Sequence, residues 1–166
     1  LNIIKTKFNK SINLVFCGNN PNTFGNLNIL KNYVIEKNLS NEITFLNFVE
    51  DEDLPYLYYN SSGLIMTSQI GPSNIPPWEA FKMNVPVIYT KYKTENIFGD
   101  AVLNVNPLNS EDIANCLIKI TEDKDLRDKL IKNGTRKIQE TNRKEEFLQI
   151  IDLIKEYSNK SFNWKK

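Results

Sequence analysis

Two patterns of apolar residues divide the chain. Short, unbroken apolar runs occur at "INLVFC" (residues 12–17), "EITFL" (42–46), "GLIMTS" (63–68), "PVIYT" (86–90) and "AVLNVN" (101–106). Each has the length and character of a buried parallel strand. Between them apolar residues recur at helical spacing. Leu27, Leu30, Val34 and Ile35 predict a helix to about Lys37, and Leu54, Leu57 and Tyr58 predict a short one within "DEDLPYLYYNSS". The acids that open that second stretch suit a helix N-terminus. "PPWEAFKM" predicts a further short helix, with Pro76 near its first position, where a missing N–H costs little. Beyond residue 106 the pattern is helical throughout. Asn109 and Ser110 are good caps for a helix whose stripe is Ile113, Leu117 and Ile120. "DKDLRDKLIKNG" follows and is expected to close at Asn133–Gly134. A charged helix over about 135–157 then offers Ile138, Phe147, Ile150, Ile151 and Ile154 for packing. The pattern assigns no element to the first eleven residues, and the tail "SNKSFNWKK" is too polar to define.

Strands alternating with helices predict the α/β class: a Rossmann-like parallel sheet flanked by helices, with a helical C-terminal tail. No internal repeat or linker interrupts it, so residues 1–166 read as one domain. Right-handed crossovers follow from strand twist. Ligands in such sheets bind beyond the carboxyl ends of the strands. The loops 18–22, 47–50 and 69–75 leave three such ends and converge on one rim.

Composition narrows the chemistry. With 21 Lys and Arg against 20 Asp and Glu, the net charge is +1, so no basic field argues for nucleic acid. The absence of histidine excludes the usual zinc sets and any His-based triad. Cys17 and Cys116 lack C-x-x-C spacing and are expected to be buried structural thiols. The sequence contains neither an apolar run long enough to span a membrane nor a recognisable signal peptide, and a reducing cytoplasm is the expected compartment. Docking of the full-length protein on a membrane stays open. The chain starts at Leu1 rather than Met, and it is expected to be a piece of something longer.

The stretch "SQIGPSNIPPWEAFKMNVPVIYT" (68–90) concentrates the candidate chemistry. Backbone N–H groups at a helix N-terminus are free to receive an anion. Pro76 and Pro77 remove two of them, which shifts a phosphate toward the loop at Ser73, Asn74 and Ile75. Gly71 allows close backbone approach or positive φ. Glu79, about one turn into the helix, can accept hydrogen bonds from a pair of hydroxyls. A purely structural reading is also open: Ser73 or Asn74 caps the helix, Trp78 packs, and Glu79 complements the dipole. Glu95 lies in a rim loop, where it is either a donor contact or a solvated acid. Lys91 and Lys93 either attract an anion or are simply exposed. Tyr56, Tyr58 and Tyr59 are expected to be partly buried rather than sugar-stacking, and Asp100 to be a turn or cap residue.

The chain resembles the C-terminal, nucleotide-sugar-binding half of GT-B-fold glycosyltransferases, specifically the retaining family 4. The likeness lies in "LVFCG", "ITFLNFVEDEDLPYLYYNSSGLIMTS", "NIPPWEAFKMNVPVIYT" and "GDAVLNVNPLNSEDIANCLIKITEDKDLRDKLIKNG". The resemblance implies sugar transfer from a nucleotide-diphosphate donor, with retention, no cofactor and no bound metal. It implies a hexosyltransferase-type enzyme of polysaccharide biosynthesis. Glu79 matches the second of the family's two glutamates and would bind the donor ribose. The first glutamate falls on Gly71, and "GPSN" looks like a glycine-proline variant of that loop. Ser73, Asn74 and Ile75 would hold phosphates and sugar, Asn47, Phe48 and Val49 would line the base pocket, and Gly18 would allow close approach. No residue is assigned as a general base or nucleophile. None of Lys5, Lys7 and Lys10 aligns with the family's phosphate-binding Arg/Lys pair. The resemblance therefore implies a donor domain without its opening strand and helix, and without the N-terminal domain that binds a glycan or lipid-linked acceptor. The isolated chain is expected not to catalyse transfer. Two alternatives remain: a catalytically degenerate domain serving binding or assembly, and a nucleotide-sugar 2-epimerase.

Overall fold

The computed structural model describes residues 1–18, 26–68, 75–91, 97–141 and 143–163. Among these residues the strands are β1 (Leu14–Cys17), β2 (Ile43–Leu46), β3 (Leu64–Met66), β4 (Val87–Thr90) and β5 (Val102–Val105). They alternate with helices α1 (Asn2–Phe8), α2 (Asn26–Glu36), α3 (Leu54–Tyr59) and α4 (Ile75–Lys82). A 3-10 turn, Gly99–Ala101, leads into β5, and α5 (Ser110–Glu122), α6 (Lys124–Glu140) and α7 (Arg143–Asn163) follow. Every strand pair is parallel. The chain therefore has the α/β architecture that the apolar runs predict.

β4 shows how the sequence builds the layers. All four of its residues are buried, and successive side chains enter opposite faces of the sheet. Ile88 joins Val105, Ala114, Leu117, Ile120 and Ile4 on one face. Val87 and Tyr89 join Ala80, Phe81, Phe98 and Val102 on the other. On that second face Trp78, Phe81 and Tyr89 meet Phe98 edge-to-face, with centroids 5.0–5.5 Å apart. This geometry suits the ring quadrupoles and fixes α4 against the sheet. Asn109 caps α5 as expected, its side chain accepting from the amides of Glu111 and Asp112 at 3.0 and 3.1 Å.

Five features depart from the sequence reading. First, the sheet is in two parts: β1 pairs only with β2, and β3–β4–β5 form a separate set, so among the described residues no ladder joins β1 to β3. Second, residues 2–8 are helical. α1 is only seven residues long, too short for a helical period to stand out, yet Ile4 is buried in the first core.

Third, α6 runs straight through Asn133 and Gly134 to Glu140 instead of closing there. Gly134 is a packing residue: a Cβ on it would meet Phe81 Cδ1 at 2.6 Å. Ile138 therefore belongs to α6, where it packs on the second core. Phe147, Ile150 and Ile154 of α7 are exposed.

Fourth, Cys116 is buried as expected but Cys17 is exposed, because the β1 edge that carries it borders open space. Fifth, of the three tyrosines only Tyr58 is partly buried; Tyr56 and Tyr59 point outward from α3 and are exposed.

Candidate functional site

The rim predicted from strand order is formed by the carboxyl ends of β1, β2 and β3 and by the start of α4. β1 ends at Cys17 and turns at Gly18, whose N–H donates to the Leu46 carbonyl at 3.3 Å and so ties the ends of β1 and β2 together. Gly18 has φ +153°, a conformation that side chains rarely adopt, and a Cβ there would meet nothing within 4 Å. The backbone, not crowding, requires glycine, and it leaves open surface above the strand end.

β2 ends at Leu46, and Asn47, Phe48 and Val49 follow directly. Asn47 and Phe48 are exposed, Phe48 to 64%, while Val49 is partly buried. Phe48 and Val49 border a hollow of about 410 Å³ together with Leu46, Glu50, Asp53 and Tyr56. Asn47 lies next to the hollow in sequence but does not line it. The acids that read as simple helix-start residues thus place two carboxylates at an apolar hollow.

α4 begins at Ile75, with Pro76 and Pro77 next, so Ile75 alone among the first three helical residues carries an amide hydrogen. Its side chain is exposed. Glu79 follows one turn later, half-buried, and its Oε2 accepts from the Tyr58 hydroxyl at 2.9 Å. That hydroxyl also lies 3.4 Å from the Pro76 carbonyl. Burial, and after it the Glu79 carboxylate, pushes the Tyr58 phenol well above its ordinary pKa, so it stays a donor and holds the carboxylate in one orientation. Among the described residues Oε1 of Glu79 has no donor. Tyr58 is the site residue the sequence reading missed. Its only signal was its place on the inner face of α3, which also suits an ordinary core residue. At the end of β4, buried Thr90 donates to the Met66 carbonyl at 3.4 Å, linking the ends of β3 and β4.

Gly18 follows β1, Phe48 and Val49 follow β2 and border the hollow, and Ile75 and Glu79 lie in the first turns of α4. Gly71, Ser73, Asn74, Lys93 and Glu95 lie outside the described residues. Asp100, expected at a turn, sits in the 3-10 turn and takes Arg136 in a bidentate pair at 2.8 and 2.9 Å. A cleft of about 920 Å³ lies between β1 and β3 and reaches Cys17 and Tyr58.

Comparison with known proteins agrees with the fold. The family model for glycosyl transferases group 1 matches residues 1–137. No curated protein sequence matches the chain significantly. Among solved structures, sucrose-phosphate synthase from Thermosynechococcus elongatus is similar over 88% of this chain, with 23% identity and a TM-score of 0.75. HepE from Anabaena, solved with UDP and glucose, is similar over 87%, with 20% identity and a TM-score of 0.73. The C-terminal domain of a glycosyl transferase group 1 family protein, LpcC from Francisella tularensis, is similar over 72%, with 25% identity and a TM-score of 0.62. The chain spans 38% of the synthase, 40% of HepE and 64% of the LpcC domain.

Proposed function

Because the chain belongs to the glycosyl transferases group 1 family, we propose that it supplies the donor-binding half of an enzyme that moves a sugar from a nucleoside diphosphate to an acceptor with retention. The observation that carries this reading is Glu79. It is a half-buried carboxylate at the start of α4, held by Tyr58 through one oxygen, and among the described residues no donor reaches the other. HepE, of the same fold, was solved with UDP, with UDP and glucose, and with UDP-glucose, which supports a nucleotide-sugar ligand.

In this reading the nucleoside base enters the hollow beside Phe48 and Val49, where Glu50 and Asp53 can accept from its N–H groups. The Glu79 carboxylate accepts from the ribose hydroxyls. The diphosphate lies against residues 71–74 and the Ile75 amide at the start of α4, where the helix N-terminus favours negative charge. Gly18 allows the ligand to approach the end of β1.

During transfer the bond from the sugar's anomeric carbon to the diphosphate oxygen breaks, and its electron pair leaves with the diphosphate. The same carbon bonds to the acceptor oxygen, whose proton departs. Backbone donors fixed in advance at the leaving diphosphate stabilise charge where it develops. The acceptor, a glycan or lipid-linked glycan, would be held by another part of the full-length protein, and the 166-residue chain alone would not turn over.

Calorimetric titration with UDP, GDP and ADP, alone and as sugar conjugates, tests the reading. One nucleotide should bind saturably, and Glu79→Ala should weaken it at least tenfold, consistent with loss of hydrogen bonds to a charged group, about 1.5–3 kcal/mol. Unchanged affinity in Glu79→Ala, or no binding by the full-length protein, overturns it. A degenerate binding module is the second reading, favoured by Gly71 at the position of the family's first glutamate. It predicts nucleotide binding without transfer by the full-length protein.

A further inference from the structure

The hollow beside Phe48 and Val49 has a chemistry of its own. Phe48 and Tyr56 border it, and these side chains are 64% and 69% exposed. The charged side chains at its border are Glu50 and Asp53, both exposed, and among the described residues no Lys or Arg lines it.

The fold makes no use of these two carboxylates. Among the described residues neither has a hydrogen-bond or ion-pair partner. Asp53 stands at the N-cap of α3, where an aspartate ordinarily accepts from the first helix amides. Its backbone is already helical there, with φ −91° and ψ −19°, rather than extended, and its side chain makes no capping bond. The backbone closes the turn instead. The Asp53 and Leu54 amides donate to the Glu50 carbonyl at 3.0 and 3.1 Å, and the Tyr56 and Leu57 amides donate to the Asp53 carbonyl at 3.1 and 3.4 Å. Those four amides are therefore taken, and the charged groups that this side of the hollow offers a ligand are acceptors.

The aromatic residues and the acids do different work on a nucleobase. Every base has a π-face, so stacking on Phe48 or Tyr56 adds affinity without choosing among bases. The choice falls to the carboxylates, which when ionised accept hydrogen bonds and donate none. Guanine presents N1–H and its exocyclic N2 amine side by side, with no acceptor between them. One carboxylate can take both in a bidentate pair, and the amine's second hydrogen is left for the other. The guanine O6 lies on the far side of N1–H, away from a carboxylate that spans N1 and the amine. Uracil has one N–H between two carbonyl oxygens. Adenine and cytosine have an amine beside a ring nitrogen that accepts. Each of these three brings a lone pair against negative charge.

We propose that the hollow selects guanine, so that the donor is a sugar carried on guanosine diphosphate. One of Glu50 and Asp53 takes N1–H together with the N2 amine, and the other takes the remaining amine hydrogen. This rests on the reading of the rim as a donor site and names the base that reading leaves open. HepE was solved with UDP, but at 20% identity its likeness concerns the fold, and the side chains of this hollow decide the base.

Calorimetric titration of the full-length protein with GDP, IDP, UDP and ADP tests it. GDP should bind at least about tenfold more tightly than UDP or ADP, the discrimination of one good bidentate pair. IDP keeps N1–H but lacks the amine, and it should bind at least about tenfold more weakly than GDP. Glu50→Gln combined with Asp53→Asn keeps the side-chain shapes and should erase most of the GDP preference, whereas Glu79→Ala should weaken all the nucleotides alike. Should the double variant fail to fold, the ratio of GDP to IDP affinity decides by itself. UDP or ADP bound as tightly as GDP, IDP bound as tightly as GDP, or a GDP preference that survives the double substitution overturns the choice of guanine. If Glu79→Ala still weakens binding in those cases, the donor site stands and only the base is wrong. Binding of none of the four overturns both.

Discussion

Gly134 and Tyr58 show how single residues take their roles from partners distant in the chain. Gly134 sits in mid-helix because Phe81 of α4 occupies the space a side chain would need. Gly134→Ala should destabilise the protein by about 1–3 kcal/mol, the usual cost of overpacking, despite the higher helix propensity of alanine; urea unfolding measures it. Asn133, its buried neighbour, donates to the Asp100 carbonyl at 2.9 Å. Asn133→Ala leaves that carbonyl without its partner and should cost about 1 kcal/mol in the same assay. Tyr58→Phe should keep the fold but release the Glu79 carboxylate. Nucleotide affinity should fall by less than in Glu79→Ala, and equal losses would mean that the hydroxyl itself touches the ligand. Glu79 was legible because a proline pair, a helix start and a strand restart frame it in one stretch. Tyr58 lies 21 residues away, and no local pattern ties the two together.

Elements were read best where one apolar face meets one kind of surroundings. β4 and α5 appear where the pattern places them, and α5 carries its predicted cap. Asn109→Ala should lower stability by about 1 kcal/mol, seen as a lower urea midpoint without a change in slope. α1 was missed because a seven-residue helix with two lysines in its last turn gains little from propensity. It is held from outside. Ile4 enters the core, and the Lys5 ammonium donates to Glu42 at 2.6 Å and to the Asn38 carbonyl at 3.0 Å. The end of α6 was misread because Asn-Gly is a frequent helix stop. Here the helix gains more by running past Phe98 and Phe81 than it loses at one glycine.

Across the whole molecule, two ion pairs join segments far apart in sequence: Asp100 with Arg136, both exposed, and largely buried Glu42 with Lys5. The hydrogen bond from its cationic partner holds each carboxyl below its ordinary pKa. The folded form therefore binds these protons less readily than the unfolded chain. The stabilisation is present at neutral pH and is lost as pH falls through the lowered values, below about pH 4. Unfolding free energy should drop on acidification from pH 5 to pH 3, and less steeply in Asp100→Asn. High salt should shrink that difference, since exposed charges are screened.

By itself the sequence determined the alternation of strands and helices, the cap of α5 and the place of Glu79 in the helix that follows β3. These depend on residues near one another in the chain: period, caps and prolines act within a turn or a strand. Only the tertiary structure decided which strands pair, that Gly134 packs rather than caps, that Cys17 is exposed and that Tyr58 orients Glu79. It alone showed a cleft between β1 and β3. Those outcomes depend on which groups from distant segments come to share a surface, and a strand's apolar run looks the same whichever strand lies beside it.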